Sequence, residues 1–182
     1  MDQIILKQIS LIVSDNKELL KIPIRQKAKF EGWLKFELAN RLENIGMENV
    51  EVESQNGFGH NRADISFFNN GRYHQVELKT SNTNWKIDGI SNNSRPITKN
   101  IKSIVRDAKK LNSAQGIVAF VLFPIPSNDT RWKVYIERIK DKTGLEIDYD
   151  KNCKLEQVNI DKNRTCELLV CSFLSRKFDN WR

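Results

Sequence analysis

The chain has 182 residues, which suits one domain with a substantial core, and its 39% hydrophobic and 29% charged residues exclude a disordered chain. No apolar run approaches the length of a membrane span, and charged residues interrupt the N-terminal stretch where a signal peptide would lie. The net charge of +7 favours a polyanionic partner such as nucleic acid, although solubility alone also accounts for such a surplus.

The N-terminal quarter of the chain is predicted to be helical. Apolar residues at helical spacing indicate a helix over residues 2–14 and a clearer amphipathic helix over residues 28–45, which Gly46 ends. Between them, residues 17–27 are basic and contain Pro23, so we expect an irregular segment there.

Strands follow the second helix. Alternating residues 50–53 predict the first strand, and residues 62–68 and 73–79 predict a hairpin around an Asn-Asn-Gly-Arg turn. The polar residues 80–97 are predicted to form a long surface loop.

The C-terminal half begins with a predicted helix over residues 98–112, with Thr98 as its N-cap candidate. The apolar run 116–123 predicts a strand buried on both faces, and residues 131–139 and 166–174 are further strand candidates. This order predicts a mixed α/β (α+β) protein with a central mixed β-sheet flanked by helices, folded as one domain over the whole chain.

The three cysteines contain no CxxC pair, which argues against a zinc site. Cys166 and Cys171 lie five residues apart in an apolar strand and are expected on opposite faces of the sheet. Free thiols suit a reducing compartment, so we predict a cytoplasmic protein.

Charged residues stand on one face of the predicted hairpin. Glu77 and Lys79 share one face of their strand, and Asp64 lies on the charged face of the strand before it. If the strands pair, these three side chains approach one another and can bind a divalent cation and position a water molecule. A solvated surface hairpin would also alternate, but the apolar neighbours argue against that alternative.

A fourth charge lies in the amphipathic helix. With Leu38 at zero and about 100° per residue, Leu34, Leu42 and Ile45 fall within about 40°, and Glu31 falls near 20°. Glu31 is therefore a carboxylate within an apolar stripe, where burial is costly without a cation or hydrogen bonds. The alternative is a first-turn glutamate that only favours the helix dipole, and Glu37 is the runner-up for the site.

The order Asp64, then Glu77-Leu78-Lys79, after a helix that carries a glutamate, resembles the PD-(D/E)xK nuclease superfamily. The resemblance covers roughly residues 28–123, which is the helix, three strands, helix, strand core of that fold. Ala63 stands where the family's motif has proline, whereas the acid-x-lysine part is intact.

The resemblance implies a restriction-endonuclease-like core with Asp64, Glu77, Lys79 and Glu31 as catalytic residues. Asp64, Glu77, Glu31 and the backbone carbonyl of Leu78 would bind Mg²⁺, or Mn²⁺ in its place, and Lys79 would orient or activate the attacking water. It further implies an endonuclease that hydrolyses DNA, of the type II restriction or phage-defence kind, without a small-molecule cofactor. Because one site cuts one strand, we expect a homodimer for cutting both strands. Two other classes stay open: a nucleic-acid-binding module with a decayed site, and a regulatory or assembly subunit on the same scaffold.

Further residues near the predicted site are candidates for contacts with DNA, and an ordinary solvated surface is the alternative for each of them. They are Gln55, His60, Arg62, Ser81, Trp85 and Lys86. The helix over residues 98–112 also has a basic face that is either solvated or follows a phosphate backbone, formed by Lys99, Lys102, Arg106, Lys109 and Lys110.

Overall fold

The computed structural model describes residues 1–54, 62–91, 97–111 and 115–175. The helices in these ranges are α1 (Asp2–Asp15), α2 (Lys17–Gln26), α3 (Glu31–Asn44), α4 (Ile97–Lys110), α5 (Trp132–Thr143) and α6 (Tyr149–Asn152). The strands are β1 (Glu48–Val52), β2 (Ile65–Asn69), β3 (Arg72–Asn82), β4 (Gln115–Ile125), β5 (Cys153–Asn159) and β6 (Thr165–Leu174).

The strands form one mixed sheet in the order β1-β2-β3-β4-β6-β5. β3 and β4 run parallel, with α4 in the connection between them, and the other neighbouring pairs are antiparallel. A parallel pair needs such a crossover because its strands start at the same end of the sheet. The predicted mixed α/β class, with a central mixed sheet flanked by helices, is confirmed.

Side chains that alternate along the strands divide the interior into two apolar cores. The first core packs α1, α2 and α3 against one face of the sheet, to which β3 and β4 contribute Val76, Leu78, Ile117, Ala119, Val121 and Phe123. The second core packs α4 and α5 against the other face, to which β4 contributes Val118, Phe120, Leu122 and Ile125. β4 is thus buried on both faces, as its continuous apolar run predicts.

Two predicted segments take a different structure. Residues 17–27, expected to be irregular, contain α2, because Leu20 and Ile24 are one helical turn apart and fully buried while Pro23 is accommodated inside the helix. Residues 131–139, expected to be a strand, belong to α5. The buried residues Trp132, Ile136 and Ile139 have helical spacing. Their burial outweighs the alternation of apolar residues that favoured a strand.

The predicted surface loop over residues 80–97 is only partly a loop. β3 continues to Asn82, and Thr83 and Ile90 are buried beyond its end. The Thr83 N–H donates to the Phe123 carbonyl at 2.8 Å, which extends the β3–β4 contact past the strand. Thr83 and Ile90, which the sequence pattern assigned to a surface loop, are therefore part of the folded core.

The C-terminal region adds an edge strand, β5, that the sequence patterns did not single out. Cys166 and Cys171 lie in the first and second core respectively, which confirms that they face opposite sides. The three cysteines are free, and the Sγ atoms of Cys153 and Cys171 lie 3.6 Å apart across the β5–β6 pair. None of the helices in the described ranges has both the length and the apolarity that a bilayer crossing requires.

A pair of substitutions on α3 tests its packing. Leu38 is fully buried and Phe36 is 66% exposed on the same helix. We expect Leu38→Ala to lower the free energy of unfolding by roughly 2–5 kcal/mol, since it leaves a cavity. Phe36→Ala should change it by less than about 0.5 kcal/mol. Urea titration followed by circular dichroism measures both, and equal effects would contradict the described orientation of α3.

Candidate functional site at the outer edge of β3

The site forms where β3 extends beyond its neighbour β2. The ladder between the two strands ends at the pair Ile65–Val76, whereas β3 continues to Asn82. Past that pair, two backbone N–H groups of β3 donate to side-chain carboxylates. The Leu78 N–H donates to Asp64 Oδ2 at 2.8 Å, and the Thr80 N–H donates to Glu31 Oε2 at 3.1 Å. Two carboxylates thus take the places that strand carbonyls would occupy.

Asp64 lies just before β2 and bridges the two faces of the sheet. Lys35 of α3 approaches its Oδ1 at 3.0 Å, and Lys79 approaches its Oδ2 at 3.6 Å. Burial alone would raise the pKa of Asp64, but the Leu78 N–H and the two ammonium groups outweigh it and hold the pKa below its ordinary value. Asp64 is therefore ionised at neutral pH.

Glu31 is the first residue of α3, and its position depends on how the α2–α3 junction is attached to β3. The Phe30 N–H donates to Thr80 Oγ1 at 3.2 Å, beside the bond from Thr80 to Glu31. Lys27 is buried at this junction, and its ammonium donates to the Trp85 carbonyl at 3.1 Å. These bonds tie the start of α3 to the end of β3, so Glu31 meets the site at a fixed place.

Lys79 lies at the centre of the cluster. Its Nζ is 3.6 Å from a carboxylate oxygen of each of Glu31, Asp64 and Asp107, and it donates to the Leu78 carbonyl at 3.0 Å. Burial alone would lower the pKa of Lys79, but the surrounding carboxylates outweigh it and raise the pKa. The ammonium form is thus stabilised at neutral pH.

The α4 side of the sheet supplies the remaining members. Glu77 is buried and forms a short ion pair with Lys110, whose ammonium also donates to the Arg62 carbonyl. Burial raises the pKa of Glu77, and the nearby Asp64 and Asp107 add to that increase, against the effect of Lys110. Burial also raises the pKa of Asp107, although Lys79 and Arg106 act in the opposite direction.

The structure brings together the four side chains that the sequence singled out, and it adds three more. Lys35 has a sequence signal, because it lies one helical turn after Glu31 and shares its side of α3. Asp107 had a weaker signal, as the one carboxylate in Ile97–Lys110 at the edge of an apolar stripe. Lys110 was predicted only as part of the basic face of its helix, and its contact with Glu77 follows from the crossover path. Glu37, the runner-up, is in no hydrogen bond or ion pair with these residues among the described contacts.

The additional candidates for DNA contacts have different surroundings. Ser81 is 2% exposed within β3, Lys86 is exposed, and Arg62 is exposed beside Lys110. Trp85 is half-buried against Tyr135, with a ring-centroid distance of 5.3 Å, and the Arg131 guanidinium lies 5.6 Å from the Trp85 ring. Gln55 and His60 lie outside the described residues.

The donors of the cluster agree in kind with the hard cation that the sequence resemblance implies. Four carboxylates and a backbone carbonyl are oxygen ligands of the type Mg²⁺ prefers. Asp107 Oδ2 is buried without a hydrogen bond, although the Lys79 ammonium lies 3.6 Å from it. The arrangement differs from a formed site, because the described part of the chain contains no group of three His, Cys, Asp or Glu side chains placed to share an ion.

Comparisons of the chain with protein-family models, with curated proteins and with solved structures find no match.

The central ammonium group can be tested by its removal. Lys79→Met leaves Glu31, Asp64 and Asp107 without their shared cation, and we expect it to lower the free energy of unfolding at pH 7 by roughly 3 kcal/mol. The loss should shrink towards pH 4, because Asp107, whose pKa is raised by burial, takes up a proton there while Asp64 stays ionised. Urea titrations at both pH values measure this, and an unchanged stability at pH 7 would show that the ammonium does not hold the carboxylates together.

Replacement of Asp107 should raise the stability of the protein, in contrast to replacement of Lys79. Because its pKa is raised, the folded state disfavours the ionised carboxylate at neutral pH relative to the unfolded chain, and Asp107→Asn removes this cost. We expect a higher melting temperature at pH 7, with the gain disappearing below the ordinary carboxyl pKa of about 4. Asp141→Asn, at an exposed position of α5, is the matched control without a gain. A lower melting temperature for Asp107→Asn at pH 7 would contradict the account of its burial.

Proposed function

We propose that this protein is a Mg²⁺-dependent endodeoxyribonuclease that hydrolyses phosphodiester bonds of DNA, with a restriction-endonuclease-like core. The observation that carries the proposal is the convergence of Glu31, Asp64, Glu77 and Lys79 at one edge of β3. These residues come from a helix, a strand entry and a strand, and they are the set named by the sequence resemblance. A solvated hairpin face would not bury Glu77 or surround Lys79 with three carboxylates.

The roles follow from the contacts of each residue. Asp64, Glu77, Glu31 and the Leu78 carbonyl would hold Mg²⁺, which when bound polarises the phosphodiester and lowers the pKa of water. Lys79 lies 3.6 Å from carboxylate oxygens of Glu31, Asp64 and Asp107, so its ammonium orients the water and stabilises developing negative charge. Lys35 fixes Asp64 in position from the opposite face of the sheet.

Cleavage of supercoiled plasmid in the presence of Mg²⁺ tests the proposal. We expect the wild-type protein to nick or linearise the plasmid and to stop when EDTA is added. Asp64→Asn, Glu77→Gln and Lys79→Met should each lower the rate by roughly 100-fold or more, because each removes charge from the reacting site. Mn²⁺ should replace Mg²⁺, given the shared preference for oxygen ligands.

The matched control is Glu37→Gln, which removes a carboxylate from α3 about one and two-thirds turns after Glu31. It should cut at the wild-type rate, whereas Glu31→Gln should lose activity. A wild-type protein that cuts no plasmid, or an Asp64→Asn and Lys79→Met pair with full activity, would refute the nuclease proposal. Gel filtration of the active protein tests the homodimer that cutting of both strands favours.

One observation favours a second candidate, a DNA-binding protein with a decayed site. Glu77 is paired with Lys110, so an ammonium group already takes one of the carboxylates needed for an ion. If the protein only binds DNA, it should bind the duplex but cleave no plasmid with either Mg²⁺ or Mn²⁺. Isothermal titration with Mg²⁺ separates the two, since the nuclease proposal requires Mg²⁺ binding that Asp64→Asn weakens.

A further inference from the structure

The helices on the two sides of the sheet differ in their charge. The helices α1, α2 and α3 on one side contain six Lys and Arg residues and six Asp and Glu residues, so their charges balance. The helices α4 and α5 on the other side contain nine cationic residues against three acidic ones. The surplus of these two helices is nearly the whole net charge of +7.

On α4 the cations form a single row on the outer surface. With Ile104 at zero, facing the sheet, and about 100° per residue, four cations fall within about 40° of the opposite direction. They are Lys99, Lys102, Arg106 and Lys109, and all four are exposed. We call these four residues the α4 row. Asp107, the one carboxylate of Ile97–Lys110, is buried on the inner side and meets the row only at Arg106, so Lys99, Lys102 and Lys109 have no acidic neighbour on this helix.

The α4 row borders directly on the carboxylate cluster. Around α4, Lys110 lies between Asp107 and Arg106, and Lys110 contacts Glu77. Arg106 belongs to the row, and its Nε is 3.9 Å from Asp107 Oδ1. A polyanion lying along the row would therefore reach the cluster at the Arg106 end, beside Asp107 and Lys110.

The spacing of the row suits duplex DNA. Lys99 and Lys109 are ten residues apart, which is about 15 Å along a helix. One strand of B-DNA advances by one phosphate every 3.4 Å along its axis, so the row is long enough to lie beside several consecutive phosphates. The row is mounted on a helix packed into the second core, so its charges are held in place rather than on a loop.

We propose that the outer face of α4 is the docking surface for the phosphate backbone of duplex DNA, which it presents to the carboxylate cluster at the edge of β3. This inference rests on the proposed function for its choice of ligand. The ordinary alternative is a solvated basic helix that contributes only to the overall charge.

The test compares two triple variants with the same net charge. Lys99→Gln, Lys102→Gln and Lys109→Gln neutralise the row without touching Arg106, which contacts the cluster. Lys7→Gln, Lys17→Gln and Arg25→Gln remove three cations from α1 and α2 on the other side of the sheet. Fluorescence anisotropy with a short labelled duplex, in EDTA and over a salt series, measures binding without any cleavage, and circular dichroism checks that both variants are folded.

We expect the α4 variant to lower the slope of log affinity against log salt by about 2.7, which is about 0.9 for each lost phosphate contact. At 0.1 M salt this corresponds to a loss of affinity on the order of 100-fold or more. The α1–α2 variant should bind nearly as the wild type does. Equal losses in both variants, or none in either, would overturn the docking surface, and tighter binding of the single strand than of the duplex would overturn the choice of duplex DNA.

The outcome is separate from that of the nuclease proposal. Binding that depends on the α4 row, together with a plasmid that stays uncut in Mg²⁺, supports the docking surface and refutes the nuclease. Cleavage that the α4 variant carries out with the wild-type KM supports the nuclease and overturns the docking surface.

Discussion

The candidate site depends on one backbone constraint: β3 is longer than the strand that covers its outer edge. Once β2 ends, the N–H groups of Leu78 and Thr80 need other acceptors, because an unpaired backbone group at a half-buried edge is costly. The protein satisfies them with the carboxylates of Asp64 and Glu31. These two carboxylates bring negative charge to the edge of the sheet. The ammonium groups of Lys35 and Lys79 compensate that charge. Backbone pairing, more than any single ion pair, thus determines where the charges of the cluster lie.

The cluster also holds charge in a state that lowers stability. Burial raises the pKa of both Glu77 and Asp107, so their ionised forms are disfavoured in the folded protein. A chain selected only for stability would replace them with apolar residues of similar size. Such buried charges beside a lysine support the proposed site, and their cost is offset by the two apolar cores on either side of the sheet.

The sequence predicts this site well where its signals are local. Alternation along the hairpin identifies Asp64, Glu77 and Lys79, and a charge inside an apolar stripe identifies Glu31. The contributions of Asp107 and Lys110 depend on the path of the crossover between two parallel strands, which no short-range pattern encodes. The same limit explains why part of the fold was predicted wrongly from the sequence. Trp132, Val134 and Ile136 alternate as in a strand, and only burial of Ile139 together with Trp132 and Ile136, while Val134 is exposed, makes that segment a helix.

The parallel pairing of β3 with β4 has a consequence for how the protein folds. Glu31 and Asp107 both contact Lys79, although 76 positions separate them in the chain. The β2–β3 hairpin can form early from local contacts, but the parallel pair requires closure of a long loop that includes α4, and such contacts form slowly. Until that closure, Glu77 lacks Lys110 and Lys79 lacks Asp107. The cluster is therefore complete only once β3 and β4 have paired, so a nascent chain that ends before β4 contains all of these charges but does not yet bring them together.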